Sequence, residues 1–388
     1  MSNAKGAKSQ SKCFIFDTFQ KKNKVKVKEI LNCLRAWAPE TYQESYDNSG
    51  LIVGEETADV DKALISLDCT EAVVDEAIAG GFNLIISHHP IVFSGLKRFN
   101  NKNYIERVVQ KAIKHDINVY AIHTNLDNVN NGVNQKFMDM LGIKNTRILK
   151  PMGQVLHQLV YYVPKDHQQQ VLEAVLVAGA GEVGNYSSCS FSHLGEGTFK
   201  PEAGANPFKG EKGEIHKEEE VKVELLVQSH QKQKVQSALM QAHPYEEVAH
   251  NWTILENKNQ DLGSGMVGEL SHPEEMMAFL SRVKGVFGCG AVRYTKPHKK
   301  MVSTVAVCGG SGSFLLGNAL GAKADVFITA DYKYHQFFDA EGRIVIADIG
   351  HYESEKFTMQ LIRDYLYENL PTFATCLTKS NTNPVHYL

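Results

Sequence analysis

Apolar and polar positions along this chain keep two alternating rhythms. From Val25 to about Thr146, KVKEILNCLRAWAP carries its apolar residues at helical spacing and stops at Pro39, and KALISLD reads as a strand. TEAVVDEAIAGG then predicts a helix closed by glycines, LIISHHP a buried strand, NYIERVVQKAIKHD a helix and VYAIHTNLDNV another strand. The carboxy-terminal part repeats the order: strand TVAVCGG, helix SFLLGNALGAKA, strands DVFITAD and RIVIADIGH, and a helix across YESEKFTMQLIRDYLYENL. Strand–helix alternation of this kind predicts an α/β architecture. Setting KALISLDCTEAVVDEAIAGGFNLIISHH beside STVAVCGGSGSFLLGNALGAKADVFITAD further indicates two related α/β halves.

The rhythm changes between them. HQLVYYVPKDHQQQVLEAVLVAGAGEVGNYSSCSF reads strand, helix, turn, strand, and EVKVELLVQSHQKQKVQSALMQAHPYEEVAHNWTIL reads strand, helix, strand. Two such units in series predict an inserted ferredoxin-like α+β module. The intervening HLGEGTFKPEAGANPFKGEKGEIHKEEE, rich in glycine and charge, is expected to be an exposed, mobile loop. The expected organisation is a tail at 1–24, a first half of the host domain at 25–149, the insert at 150–262 and the second half at 263–388. The tail is polar, includes Ser2-Asn3-Ala4 like the scar of a cleaved tag, and is expected to be disordered or tag-derived.

Composition narrows the function classes. A chain of 388 residues carries a formal charge of -3 and no basic block interleaved with aromatics, so direct nucleic-acid binding is not indicated. Seven cysteines without a CxxC pair read as reduced thiols rather than a disulfide framework. No apolar run approaches the ~20 residues of a bilayer span, and no signal-peptide core opens the chain. The expected setting is cytoplasmic, without membrane contact.

The candidate chemistry lies where strands end. LIIS releases His88 and His89; VYAI releases His123, with Asp127 four residues on; RIVIADIG releases His351, with Glu355 at the same spacing; and DVFITA releases Asp331, with His335 beyond it. Open α/β sheets keep ligands at strand ends. Imidazole with carboxylate, and no cysteine, suits divalent Zn, Fe, Mn, Co or Ni. Adjacent histidines on extended backbone point to opposite faces, so His88 and His89 are placed to flank two ions rather than chelate one. A dinuclear centre is therefore expected. Gly309, Gly310, Ser311 and Gly312, running on to Ser313 between a strand and a helix, are candidates for cradling a phosphate with backbone N–H groups. His335 is the candidate acid or base, while Tyr332 and Tyr334 read equally as packing residues. His243 has no partner at ligand spacing.

Taken in order, YDNSGLIVG, ISHHPIVF, HTNLD, VCGGSGS, TADYKYH and GHYESE resemble the successive signatures of the dinuclear-metal-centre hexameric family. Its members are called Ngg-interacting factor three-like proteins or GTP cyclohydrolase 1 type 2 homologues. The resemblance implies two divalent ions per chain held by His88, His89, His123, Asp127, His351 and Glu355, with Asp127 or Glu355 as the bridging carboxylate. It further implies a homohexameric toroid with metal sites facing an internal cavity. The middle segment, with AHPYEEV, is similar to the P-two signalling and copper-tolerance (CutA-like) modules of the longer bacterial members. The implied activity is metal-dependent hydrolysis of a small-molecule substrate, a phosphoester or a phosphorylated, nucleotide-like compound. The alternatives are a metal-storage or metallochaperone-like ring without turnover, and a regulatory scaffold whose insert senses a small molecule.

Overall fold

The computed structural model describes residues 24–388, so the tail expected at 1–24 lies outside the described residues apart from Lys24. The chain divides into two compact units, one ending at Lys150 and resuming at Gly263, the other Pro151–Leu262.

In the larger unit, Lys62–Ser66, Leu84–Ser87 and Asn118–Ala121 pair in parallel at the middle of a five-stranded sheet, with Leu64 beside Ile85 and Ile85 beside Val119. Ala374–Leu377 adds a parallel edge and Gly50–Val53 an antiparallel one. Every residue of Leu84–Ser87 and Asn118–Ala121 is buried. Burial on both faces is why these strands read as unbroken apolar runs rather than alternating ones. The helices Glu71–Gly80 and Tyr104–Lys114 bury Val73, Val74 and Ala77, and Val108, Val109 and Ala112, in one cluster with Leu64, Ile85 and Val119. Their starts are set by Thr70 and Asn103, whose side chains accept from the amides of Val73 and Glu106. At about 1.5–3 kcal/mol for each fully buried valine or isoleucine, this face outweighs any helix propensity.

A six-stranded sheet repeats the plan. Met301–Ser311, Val326–Ala330 and Val345–Asp348 run parallel, with Arg293–Tyr294 antiparallel at one edge. Asn259–Glu275 pairs antiparallel with Met301–Ser311, and Lys144–Met152 completes the sheet. Its core gathers Ala306, Phe327 and Ile346 with Leu315, Leu316 and Ala319. The helix expected across SFLLGNALGAKA is reduced to a 3-10 turn, Ser313–Leu315, and the short helix Leu316–Gly321. The long helix expected across YESEKFTMQLIRDYLYENL is two, His351–Glu355 and Thr358–Asn369. Between them Phe357 is drawn into contact with Phe137 and Phe287, a tertiary demand that the local periodicity does not carry.

The Pro151–Leu262 unit has the order strand Leu156–Pro164, helix Gln168–Val177, strands Ser190–Phe199 and His216–Gln228, helix Lys232–Ala242 and strand His250–Ile254. All four strands are antiparallel to their neighbours, in the order fourth, first, third, second. Val221, Val223, Leu225 and Val227 alternate onto one face and pack with Val171, Val175, Val235 and Leu239. Much of the stretch expected to be a mobile loop is instead a hairpin, paired from Ser190 with Leu225 to Phe199 with His216. Backbone pairing does not depend on side-chain hydrophobicity, so a polar, glycine-bearing hairpin leaves little trace in the pattern.

Candidate metal centre

The parallel strands of both sheets end at one place. After Ser87 the backbone stays paired, His88 donating its amide to Ser66 O and His89 to Leu67 O, so both side chains leave the end of a strand that is still held in the sheet. His123 follows Asn118–Ala121 and opens the turn Thr124–Asp127, which delivers Asp127. His351 and Glu355 occupy the two ends of the short helix His351–Glu355 and so share one face. All six residues expected as ligands meet, in three overlapping groups: His88, His89 and His123; His89, His351 and Glu355; and His88, Asp127 and Glu355. Within each group the ligand atoms lie within 4.8 Å of one another.

Each imidazole is held from behind. His88 Nδ1 donates to Ile122 O at 2.8 Å, His89 Nδ1 to Asp68 Oδ1 at 2.8 Å, His123 Nδ1 to Asp47 Oδ1 at 2.7 Å and His351 Nδ1 to Asp331 Oδ2 at 2.7 Å. That leaves every Nε2 facing the cluster, the arrangement that orients imidazole for metal ligation. Glu355 Oε2 lies 3.0 Å from Nε2 of both His89 and His351, while its Oε1 lies 3.9 Å from His88 Nε2. Asp127 Oδ1 is 3.7 Å from the same His88 nitrogen. His88 Nε2 and Asp127 Oδ1 are buried, and among the described residues neither has a hydrogen-bond partner.

The electrostatics are those of a buried cluster. Burial pushes the Asp127 carboxyl up. It also opposes ionisation of Glu355, but the surrounding histidines, His351 foremost, outweigh it and hold that carboxyl well below the usual range. For His89 burial disfavours the charge, yet hydrogen bonds to Asp68 and Glu355 lift it to about 9; His351 is lifted to about 11 against the same burial, chiefly by Glu355 and Asp331. In the absence of a cation these rings keep protons that a bound metal ion displaces.

The aspartates behind the rings divide by how visible they are in sequence. Asp331 is a strand-end residue, and its φ of 59° turns it toward His351. Asp68 closes KALISLD, so the rule that singled out the histidines reaches it too. Asp47 lies in YDNSGLIVG, but its part in orienting His123 has no local signature. The glycine segment does a different job from the one expected. The amide of Gly309 donates to Asn134 Oδ1 and that of Gly310 to Ser354 Oγ, both at 3.0 Å, so neither is free for a phosphate. Gly310 instead allows close approach: a Cβ there would lie 2.3 Å from Glu355 Oε1. Ser311 lines the cavity described below, and Gly312 O accepts from the amide of Leu315. His335 does not join the group; it is exposed, stacks against Phe338 and is not among the residues lining the cavity. Tyr334 is exposed and Tyr332 buried. His243 donates to or accepts from backbone within the other unit, bonding Tyr162 O and the Tyr245 amide.

The cluster opens into a cavity of about 1110 Å³, with Tyr46, Phe93, Tyr104, Phe314 and Tyr387 on its wall. Arg293 is the one arginine or lysine among its described lining residues, and its guanidinium is paired with Asp348. Residues 25–384 match the family described as Duf34/NIF3 (NGG1p interacting factor 3). The chain belongs to that family. A Halalkalibacterium halodurans protein named GTP cyclohydrolase 1 type 2 homolog is 39% identical over 340 residues, 87% of this chain and 91% of its own length. A Bacillus subtilis protein of the same name is 37% identical over 326 residues, 84% of this chain and 87% of its own. Among solved structures, the Bacillus cereus protein related to NIF3 superposes with a TM-score of 0.79 at 34% identity, covering 95% of this chain and all of that one. Membership and fold thus agree with the motif order, and no helix of the described residues is long and apolar enough to cross a membrane.

Proposed function

We propose that this Duf34/NIF3 protein holds two divalent ions in a dinuclear centre and acts as a metal-dependent hydrolase on a phosphoester or nucleotide-like substrate. One observation carries the reading: Glu355 belongs to two ligand groups at once, its Oε2 with His89 and His351 and its Oε1 toward His88 and Asp127. A carboxylate shared in that way is suited to bridging, which favours Glu355 over Asp127 for that role. The orphaned, buried His88 Nε2 and Asp127 Oδ1 fit a cation, because buried polar atoms otherwise find partners. Nitrogen and oxygen donors without thiolate fit Zn, Fe, Mn, Co or Ni. Such a pair of ions, when bound, supplies Lewis acidity and activates water at neutral pH.

The chain's own residues supply the rest. Asp47, Asp68, Asp331 and the Ile122 carbonyl hold the four rings with Nε2 inward, so the donors are arranged before any ion arrives. The aromatic cavity wall supports a small organic substrate and hence turnover rather than storage alone. The names of the relatives agree with a nucleotide-like compound. In this reading the working form is a cytoplasmic homohexameric toroid. Its host domain is two related α/β halves, and Pro151–Leu262 is a ferredoxin-like insert, supported by that unit's strand order. Elemental analysis of chelator-free protein, paired with a broad hydrolase screen, tests the proposal. Two ions per chain and a turnover lost in Glu355→Ala are expected; two ions without turnover would favour storage, and fewer ions would overturn the dinuclear assignment.

A further inference from the structure

Past the ligands His88 and His89, the loop that leads to Tyr104–Lys114 carries a segment, Phe93–Asn103, that supplies no candidate ligand. Phe93 and Tyr104, near its two ends, line the cavity, and FSGLKRFNNKNY, too sparse in cations to be a basic block, sets Lys97, Arg98 and Lys102 among Phe93, Phe99 and Tyr104. Phe93, Phe99 and Tyr104 are about half exposed, and Lys97, Arg98 and Lys102 are exposed as well. Among the described residues Lys97 and Arg98 make no ion pair.

This loop is held in place. Asn48 Nδ2 donates to Val92 O at 2.6 Å, and Leu96 packs onto the apolar cluster of the five-stranded sheet. The Glu106 carboxylate accepts from the amides of Asn100 and Lys102 at 3.0 Å each and from Asn103 Nδ2 at 2.9 Å. A pinned backbone that presents rings and unpaired cations has already met much of the ordering cost of binding. Phe93 stands edge-on to His123, ring centroids 5.5 Å apart at 88°, so the aromatic rim continues into the candidate metal centre.

Charge and shape select the ligand. On the cavity wall Asp68, Asp331 and Asp348 are paired with His89, His351 and Arg293, and Glu44 and Glu353 add negative charge, whereas the unpaired cations Lys97 and Arg98 sit outside on the loop. Planar rings stack on exposed aromatics with little regard to ring identity, and guanidinium and ammonium groups meet phosphate oxygens. The geometry points to this loop as a binding rim for a phosphate-bearing planar heteroaromatic compound of the mononucleotide class. The ring lies over Phe93 and Tyr104 and the phosphates meet Lys97 and Arg98. The ring end is thereby the one nearer the ligand cluster. The substrate class rests on the nucleotide-like reading of the function proposed above, with the ring rather than a phosphoester toward the ligand cluster, but the rim itself does not depend on bound metal.

Isothermal titration of the full chain with adenosine diphosphate, with and without added metal, tests this. Lys97→Ala/Arg98→Ala is expected to weaken binding about tenfold, and Phe93→Ala by a similar factor. Lys114→Ala/Lys144→Ala, which removes the same charge from exposed positions outside the loop, is expected to stay within about twofold. Inorganic pyrophosphate and unphosphorylated adenosine should each compete less well than the diphosphate. No saturable binding, or an affinity that the rim variants leave unchanged in either metal state, overturns the assignment. Absence of turnover leaves this readout untouched, so failure of the hydrolase reading is distinguishable from failure of the rim.

Discussion

Replacing Gly310 by alanine tests the candidate centre without touching a ligand. Gly310 has φ +61°, where a residue with a Cβ costs about 1–2 kcal/mol. The added Cβ would lie 2.3 Å from Glu355 Oε1, 3.1 Å from its Cδ and 3.3 Å from His351 Cε1. Ordinary contact begins near 3.4 Å, so the carboxylate must retreat by about 1 Å. It has little room to do so, because Glu355 is 2% exposed and its other oxygen is tied to His89 and His351 at 3.0 Å. Strain and displacement together amount to about 2–3 kcal/mol, or a midpoint lowered by about 4–8 °C in a unit of this size. The oxygen displaced is the one facing His88 and Asp127, so the variant should lose at least one ion per chain. Neighbouring Gly309 is the control: its Cβ would meet Val133 Cγ1 at 3.1 Å and the Glu355 methylene at 3.5 Å, and Gly309→Ala should keep its metal. Plasma mass spectrometry on metal-reconstituted protein, alongside thermal unfolding, reads both effects. Full metal content and an unchanged midpoint in Gly310→Ala would refute the argument that Glu355 is held against this glycine.

Glu355→Ala should lose metal more completely than Asp127→Ala, because Glu355 serves two groups and Asp127 one; equal metal contents would count against Glu355 as the shared ligand. Asp47→Ala should leave the chain folded while weakening metal affinity about 10–100-fold, measured by competition with a chelator, since Asp47 is no ligand itself but orients His123 and holds Thr124 at the start of the turn that delivers Asp127. Asp325 lies outside the site; burial raises its carboxyl, but Lys299 and the amides of Thr304 and Ser303 outweigh this and hold it low. A depressed carboxyl contributes stability that is present above its unfolded pKa and lost as pH falls through the folded one. Asp325→Asn should therefore be less stable than the parent at neutral pH, by about 1–3 kcal/mol, with the gap closing below about pH 4 in denaturant titrations. Replacing Pro151–Leu262 by a short glycine-serine linker should leave the host folded and metal bound, because Gly263 already lies against Lys150, a Cβ there falling 2.1 Å from Lys150 O; loss of metal with retained helicity would show that this segment shapes the site.

The strands and helices of the larger unit were legible because each buries one face or two against neighbours, which imposes a local period on the chain. Leu84–Ser87, buried on both sides, ends where its apolar run ends, and so His88 and His89 could be placed at a strand end from sequence alone. His351 and Glu355 at helical spacing were legible for the same reason, as was the absence of thiolate among the candidate donors. Tertiary structure decided what lies far apart in the chain. The Glu355–His89 contact spans 266 residues, and no local period encodes which oxygen of Glu355 faces which histidine. Asp47 reaches His123 across 76 residues, so its role depends on packing rather than spacing. The glycines at 309 and 310 looked like a phosphate cradle because glycine-rich turns often leave amides free; only the folded chain brings Asn134 and Ser354 to take them. His335 lies four residues beyond the strand-end Asp331, the spacing Asp127 has from His123 and Glu355 from His351, yet the 3-10 segment Tyr334–Ala340 leaves it in solvent. Sequence determines which side chains leave a strand end, since that follows from neighbours in the chain. Which of those side chains converge depends on how the strand ends of two sheets are brought together, and that is a property of the whole core.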